Sequence, residues 1–169
     1  MKHQDDLLSK LAQVFQDLFY ESYRTVLRGG YDEPFYLAPI EGQNGEIRFR
    51  HDFLRSALHE ISHWLVAGDE RRNQDDFGYW YAPDGRDLSQ QSTLFKVEVK
   101  PQAIEWTLCE TLGLDFDISA DNLNLVVSQS ETFKAEVEAF KAAVKTQKAL
   151  NEHVGLPSRA RSLVYALKP

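Results

Sequence analysis

The chain has one cysteine, Cys109, in 169 residues, which excludes an intramolecular disulfide and any thiolate-based metal cluster. A reducing cytoplasm is the natural compartment for such a chain. Long apolar runs are missing as well. Nowhere do eighteen apolar residues follow one another, and Met1-Lys2-His3-Gln4-Asp5-Asp6 has no apolar stretch behind a basic region, so neither a membrane span nor a signal peptide is expected. Clustered basic charge is scarce: a formal net charge of -7 argues against nucleic acid or anionic membrane as a partner and favours a neutral or cationic substrate. Repeats, low-complexity segments and linkers are absent from 1-169. The composition, 43% hydrophobic, 27% charged and 12% aromatic, is that of a single globular domain able to bury a sizeable core.

Hydrophobic periodicity then supplies the elements. Leu7, Leu8, Leu11, Val14, Phe15, Leu18 and Phe19 recur at spacings of three and four, which predicts an amphipathic helix ending near Tyr23 and broken by Gly29-Gly30. Residues 34 to 38 and 46 to 50, separated by Gly42 and Gly45, read as a pair of strands. A helix follows from about Asp52, as its cap, to Ala67, with Gly68 placed to take a left-handed stop. Phe77 to Tyr81 reads as an aromatic strand leading into the turn Pro83-Asp84-Gly85. Residues 93 to 112 are helical, with Pro101 either kinking one helix or opening a second. An irregular stretch runs to Gln129, residues 131 to 150 form an Ala, Glu and Lys rich helix, and Pro157-Ser158 introduces a short last one. The fold class expected is α+β: a small mixed sheet packed with helices, carrying a metal site on a central helix.

Within that helix lies His59-Glu60-Ile61-Ser62-His63, a complete H-E-x-x-H pattern. Histidines four residues apart project from one face, one turn apart, so both imidazoles can reach a single cation. Glu60 stands where a zinc hydrolase keeps the general base that deprotonates metal-bound water. The bland alternative is a helix with two structural histidines, one of them buried and hydrogen-bonded. A third ligand is needed, and three carboxylates compete. Asp69 lies six residues beyond His63, where an extended zinc motif places its last ligand, but Val66 replaces the glycine of that motif. Glu98 sits between Val97 and Val99, and Glu105 two turns further on; a carboxylate among apolar neighbours needs a cation. On a solvated face, Glu98 would instead pair with Lys96 or Lys100. The segment Asp75 to Asp87 mixes aromatic faces with acids suited to holding an ammonium group, unless it is simply a core strand and a solvated turn. Cys109, in Trp106-Thr107-Leu108-Cys109, reads as a packing residue.

Several blocks resemble the elongation factor P hydroxylase family: Ala57-Leu58-His59-Glu60-Ile61-Ser62-His63-Trp64, Asp76 to Tyr81 with Pro83 to Asp87, and Val97-Glu98-Val99-Lys100-Pro101-Gln102-Ala103. Asp32-Glu33-Pro34, Tyr36-Leu37 and Asp121-Asn122-Leu123 extend the resemblance, while the terminal helices match only loosely. It implies a two-histidine, one-carboxylate metal site on His59, His63 and Glu98, and a fold akin to a metal-dependent endoribonuclease. It further implies Fe(II) with dioxygen as co-substrate and hydroxylation of a lysine side chain of elongation factor P that already bears a β-lysyl group. Residues alone would favour a zinc peptidase or amidase with Glu60 as base, and the ligand set suits zinc and iron equally. Under the hydroxylase reading Glu60 becomes an orienting acceptor or a partner for substrate ammonium. Asp76, Tyr79, Tyr81, Asp84 and Asp87 are the candidates to attract the cationic modified lysine.

Overall fold

A computed structural model describes residues 2-79, 86-120 and 128-169. Helix α1 (Lys2–Tyr23) buries Leu11, Phe15 and Phe19, as its periodicity requires. Three strands follow, β1 (Thr25–Tyr31), β2 (Phe35–Leu37) and β3 (Gly45–Arg50), in the order β1-β3-β2, with β1 parallel and β2 antiparallel to β3. In β3, Ile47 and Phe49 point into the core while Glu46, Arg48 and Arg50 alternate outward, so the period of two is used as expected. Helix α2 (Leu54–Val66) lies against this sheet and α1. Among the described residues the remaining α-helices are α3 (Asp69–Arg72), α4 (Leu88–Thr111), α5 (Glu131–Val154) and α6 (Ser158–Leu167).

Strand β1 is absent from the sequence expectation, because Gly29-Gly30 reads there as a break. In the fold both glycines lie inside the strand. A Cβ on Gly29 would come within 2.6 Å of Asp52 Oδ1 and 2.7 Å of the Phe49 ring, and the β1/β3 register shifts between Arg28 and Tyr31 with Gly30 at φ 90°. The pair therefore serves close approach and an irregularity in the ladder, not termination.

The ends of α2 also differ from expectation. Its cap is Phe53 with no side-chain capping bond, and Gly68, at φ -73° and ψ 173°, is extended and opens α3. No left-handed stop is needed, because arginine supplies donors to the last carbonyls: Arg159 Nη2 reaches the oxygens of Trp64 (3.3 Å), Leu65 (3.2 Å) and Ala67 (2.5 Å), and Arg72 Nη1 reaches that of Ala67. A helix end must find such partners somewhere. The guanidiniums of Arg72 and Arg159 also lie over Trp64, 5.7 Å and 5.0 Å from its ring respectively. Trp64 is fully buried and meets Phe15, Phe19 and Tyr23 at 5.1 to 5.2 Å.

The aromatic strand expected at 77 to 81 is not there over its described part. Asp75–Gly78 form a 3-10 turn in which Asp76, Phe77 and Gly78 all have positive φ (46°, 58° and 72°). Asp75 and Asp76 accept hydrogen bonds from the backbone N-H groups of Ala38 and Tyr36 at 2.9 and 2.8 Å, clipping the turn to the outer edge of β2. Phe77 stacks on Tyr36 with centroids 4.3 Å apart. These long-range bonds hold a left-handed backbone that a strand would not tolerate. Trp80, Tyr81 and the turn Pro83-Asp84-Gly85 lie outside the described residues.

Helix α4 begins five residues earlier than expected, behind a capping box in which Asp87 accepts from Gln90 N (2.8 Å) and Gln90 Oε1 accepts from Asp87 N (3.0 Å). Pro101 is buried in its interior, within one helix and not at the start of a second. A second apolar cluster of Phe95, Ala103, Phe133, Phe140 and Val144 joins α4 to α5. The result is a mixed, mainly helical fold around a small three-stranded sheet.

Candidate metal centre

The 3.6-residue repeat of α2 sends Ala57, Leu58, Ile61, Trp64 and Leu65 into the core and turns His59 and His63 toward α4. On α4, the stripe Glu98, Gln102 and Glu105 follows the same repeat on the face meeting them, and all three are buried. Two helices thus bring imidazoles and carboxylates together from opposite sides.

His59 Nε2 and His63 Nε2 are 3.2 Å apart. Glu98 Oε1 is 2.9 Å from His63 Nε2, and its Oε2 is 3.6 Å from His59 Nε2. One donor atom from each of the three residues fits within a span of 4.8 Å, a grouping able to hold a metal ion. The other face of His59 is engaged differently: Nδ1 is 2.9 Å from Glu105 Oε2. A carboxylate there accepts a hydrogen bond from Nδ1-H, so that the ring, once neutral, would present its Nε2 lone pair toward His63 and Glu98. Gln102 Nε2 donates to Glu98 Oε2 (3.2 Å) and to Ser119 O (2.9 Å), while Ser119 N donates to Gln102 Oε1 (3.0 Å).

The charges respond as this crowding requires. Burial opposes charge on His59, yet Glu98, the hydrogen bond to Glu105 and the nearby Glu60 outweigh it and raise its pKa to about 10. Burial likewise pushes Glu98 upward, but His63 and His59 win and hold it down at about 2. Glu60 is raised by burial, helped by Glu98 and Asp76 and opposed by both histidines. Its carboxyl makes no hydrogen bond or ion pair among the described residues.

The other candidate residues fall as follows. Asp69 is exposed and pairs with Arg72, away from the histidines. Glu105 stands behind His59, not among the three converging donors. Asp76 is tied to the β2 backbone, and desolvation raises its pKa. Asp87 caps α4. Tyr79 lines a cavity of about 190 Å³ with His63, Val66, Phe77, Val97 and Pro101, and the Arg71 guanidinium lies 4.0 Å from its ring. Tyr81 and Asp84 lie outside the described residues. A second cavity of about 160 Å³ touches His59 and Glu98 and is walled by Arg86, Gln91, Phe95 and Gln102. Phe77 lies 6.3 Å from His63, roughly parallel to it, so the turn at the sheet edge also backs a histidine. Cys109 is buried in the core, and desolvation raises its thiol to about 11, consistent with packing.

Sequence reasoning missed Arg55 and Gln102. Arg55 precedes His59 by one turn, and Gln102 follows Glu98 by one turn, a polar spacing on otherwise buried faces that could have drawn attention to both.

Two histidines one turn apart and a buried carboxylate from the facing helix define the protein, as a class, as a candidate mononuclear metalloenzyme. The chain belongs to the elongation factor P hydroxylase family, whose profile matches residues 14-169. It is 47% identical over 161 residues to the elongation factor P lysine hydroxylase of Haemophilus influenzae, a match covering 95% of this chain and 86% of that protein.

Proposed function

We propose that this protein hydroxylates a lysine side chain of translation elongation factor P that already carries a β-lysyl group, completing its modification. A divalent metal, Fe(II), would be held by His59, His63 and Glu98, with dioxygen as co-substrate. The observation that carries the proposal is the convergence of His59 Nε2, His63 Nε2 and the Glu98 carboxylate in a chain of this family. The donor set suits a cation: two imidazole nitrogens and a carboxylate converge in a largely buried space, where a metal ion could replace the protons that the histidines otherwise hold beside Glu98. Bound there, ferrous iron supplies the dioxygen activation that oxidation of an unactivated C-H bond demands. One oxygen atom enters the lysine and the other leaves as water, with two electrons and two protons from an external reductant.

The protein's own residues position the substrate and shape its surroundings. The cavity beside His63, walled by Val66, Phe77, Val97 and Pro101 with Tyr79 and Arg71 at its side, offers an apolar wall suited to the aliphatic stem of a lysine. Glu60, half-buried near both histidines, is the carboxyl group placed to receive an ammonium of the modified side chain, and no base role is required of it. Asp76, Tyr79, Tyr81, Asp84 and Asp87, with a net charge of -7, add attraction for a doubly cationic side chain. Acting on a translation factor, the protein would work in the cytoplasm, with no direct nucleic-acid or membrane partner. The zinc hydrolase alternative rests on the H-E-x-x-H pattern alone, whereas the family match extends over nearly the whole chain.

The test is aerobic incubation of the iron-loaded protein with β-lysylated elongation factor P, followed by intact mass. A gain of one oxygen atom that vanishes in His59→Ala supports hydroxylation. Cleavage of the β-lysyl group without oxygen gain would refute it in favour of the hydrolase.

A further inference from the structure

Behind His59, on the side away from His63, lies a second line of contacts. Glu105 is buried on α4, with 7% of its side chain exposed, and its two oxygens have different partners: Oε2 is 2.9 Å from His59 Nδ1, and Oε1 is 3.2 Å from Arg55 Nη2. Arg55 is held in turn, since its Nη1 donates to Asp115 O at 2.6 Å and lies 3.3 Å from Cys109 Sγ. Its guanidinium sits 5.3 Å from the Phe116 ring. The arginine is therefore fixed at its far side by the chain segment following α4.

We infer that Glu105 is a positioning residue for the metal centre, held in place by Arg55, and that it fixes the ring orientation and tautomer of His59 so that Nε2 faces His63 and Glu98. The inference rests on the proposed ligand role of His59. An imidazole can turn about its Cβ-Cγ bond and can carry its proton on either nitrogen, so an unsupported His59 would spend part of its time with the wrong atom or a proton facing the cation. A carboxylate at Nδ1 removes that freedom and makes Nε2 more basic, and loss of such a support typically weakens metal binding by about 10- to 100-fold. Arg55 keeps the carboxylate from rotating toward water. Because Arg55 is half-exposed and lies on the same helix as His59, one turn earlier, changing it perturbs the support with little disturbance of the core.

The decisive measurement is metal affinity, by competition with a chromogenic chelator, for wild type, Glu105→Gln, Glu105→Leu and Arg55→Met, beside their melting temperatures in chelator. Visible absorption of the cobalt-loaded proteins reports ligand geometry, and long-range proton-nitrogen spectra of the zinc-loaded proteins report which His59 nitrogen carries hydrogen. Glu105→Leu should weaken zinc binding by about 10- to 100-fold, alter the cobalt spectrum and mix the His59 tautomers. Glu105→Gln, which can still accept from Nδ1-H, should restore most of the affinity, and Arg55→Met should fall between it and Glu105→Leu. A purely structural link between α2 and α4 would lower melting temperature and leave affinity, cobalt spectrum and tautomer unchanged, and that result overturns the inference. If Glu105→Leu does not fold, affinity and tautomer in Glu105→Gln and Arg55→Met indistinguishable from wild type overturn it equally. Wild-type protein that binds no metal would sink the ligand assignment itself. Metal-binding wild type with unaffected variants would sink only the role of Glu105.

Discussion

Replacing Glu98 by glutamine keeps the shape of the side chain and one oxygen able to accept from Gln102, removes the charge and turns the other oxygen into an NH2 donor. In the metal-free protein His63 and His59 hold Glu98 at about 2, against an ordinary 4.5. At about 1.36 kcal/mol for each tenfold in proton affinity, that displacement corresponds to up to about 3 kcal/mol of stability at neutral pH. For a domain of this size, about 3 kcal/mol moves the melting temperature by roughly 6-12 °C. A depressed carboxylate contributes fully above its unfolded pKa and loses the contribution as pH falls, here between about 4.5 and about 2. The gap between wild type and Glu98→Gln should therefore be widest near neutrality and close in acid. Urea denaturation in the presence of chelator, at pH 7 and at several values down to pH 3, measures it. The same variant should lose metal-induced stabilisation at pH 7. A melting temperature within about 2 °C of wild type, or a gap that does not change with pH, would refute the electrostatic account of the site.

For the wild type, a metal in 100-fold excess over its dissociation constant should add about 2.7 kcal/mol, or roughly 5-10 °C in melting temperature by differential scanning fluorimetry, and chelator should reverse it. Trp64→Ala, which empties a fully buried aromatic site on the core-facing side of the histidine-bearing helix, should cost about 3-5 kcal/mol in urea titrations, whereas Trp64→Phe should cost far less. Burial tends to lower Lys148, but Glu110 and Glu152 raise it on balance. Its pairing is complete below the ordinary lysine value of 10.5 and is lost as pH rises beyond it. Lys148→Met should therefore show a shallower alkaline loss of stability than wild type when urea midpoints are compared from pH 9 upward.

Much of the centre was legible because its grammar is helical. His59 and His63 repeat at four residues and stand on one face by geometry alone, while Glu98 sat among valines where a lone carboxylate asks for a cation. Spacing alone left Asp69, Glu98 and Glu105 open and the family resemblance pointed to Glu98; the packing of α4 against α2, which no local pattern encodes, sets that carboxylate beside both histidines. The misread elements share a cause: tertiary partners replaced local signals. Gly29 reads as a breaker until Phe49 and Asp52 are seen pressing on its Cα. Gly68 reads as a stop until Arg159 and Arg72 are found serving the carbonyls it would otherwise have released. Phe77 has strand propensity, but two aspartates bonded to the β2 edge impose a left-handed turn on it. Arg55 and Gln102 carried only a faint signal, their one-turn spacing from His59 and Glu98, because their roles lie in what they touch across α4 and the segment after it.

That clip between Asp75, Asp76 and the outer edge of β2 links two hazards usually treated apart. An open strand edge is a template on which other chains can polymerise, and here its N-H groups are shielded by the turn that also sets Phe77 beside His63. An excursion that pulls the turn away would take Phe77 from beside His63 and bare adhesive backbone in the same event. Inactivation and self-association of this protein should consequently share one rate-limiting step, and mutations that quicken the first should quicken the second.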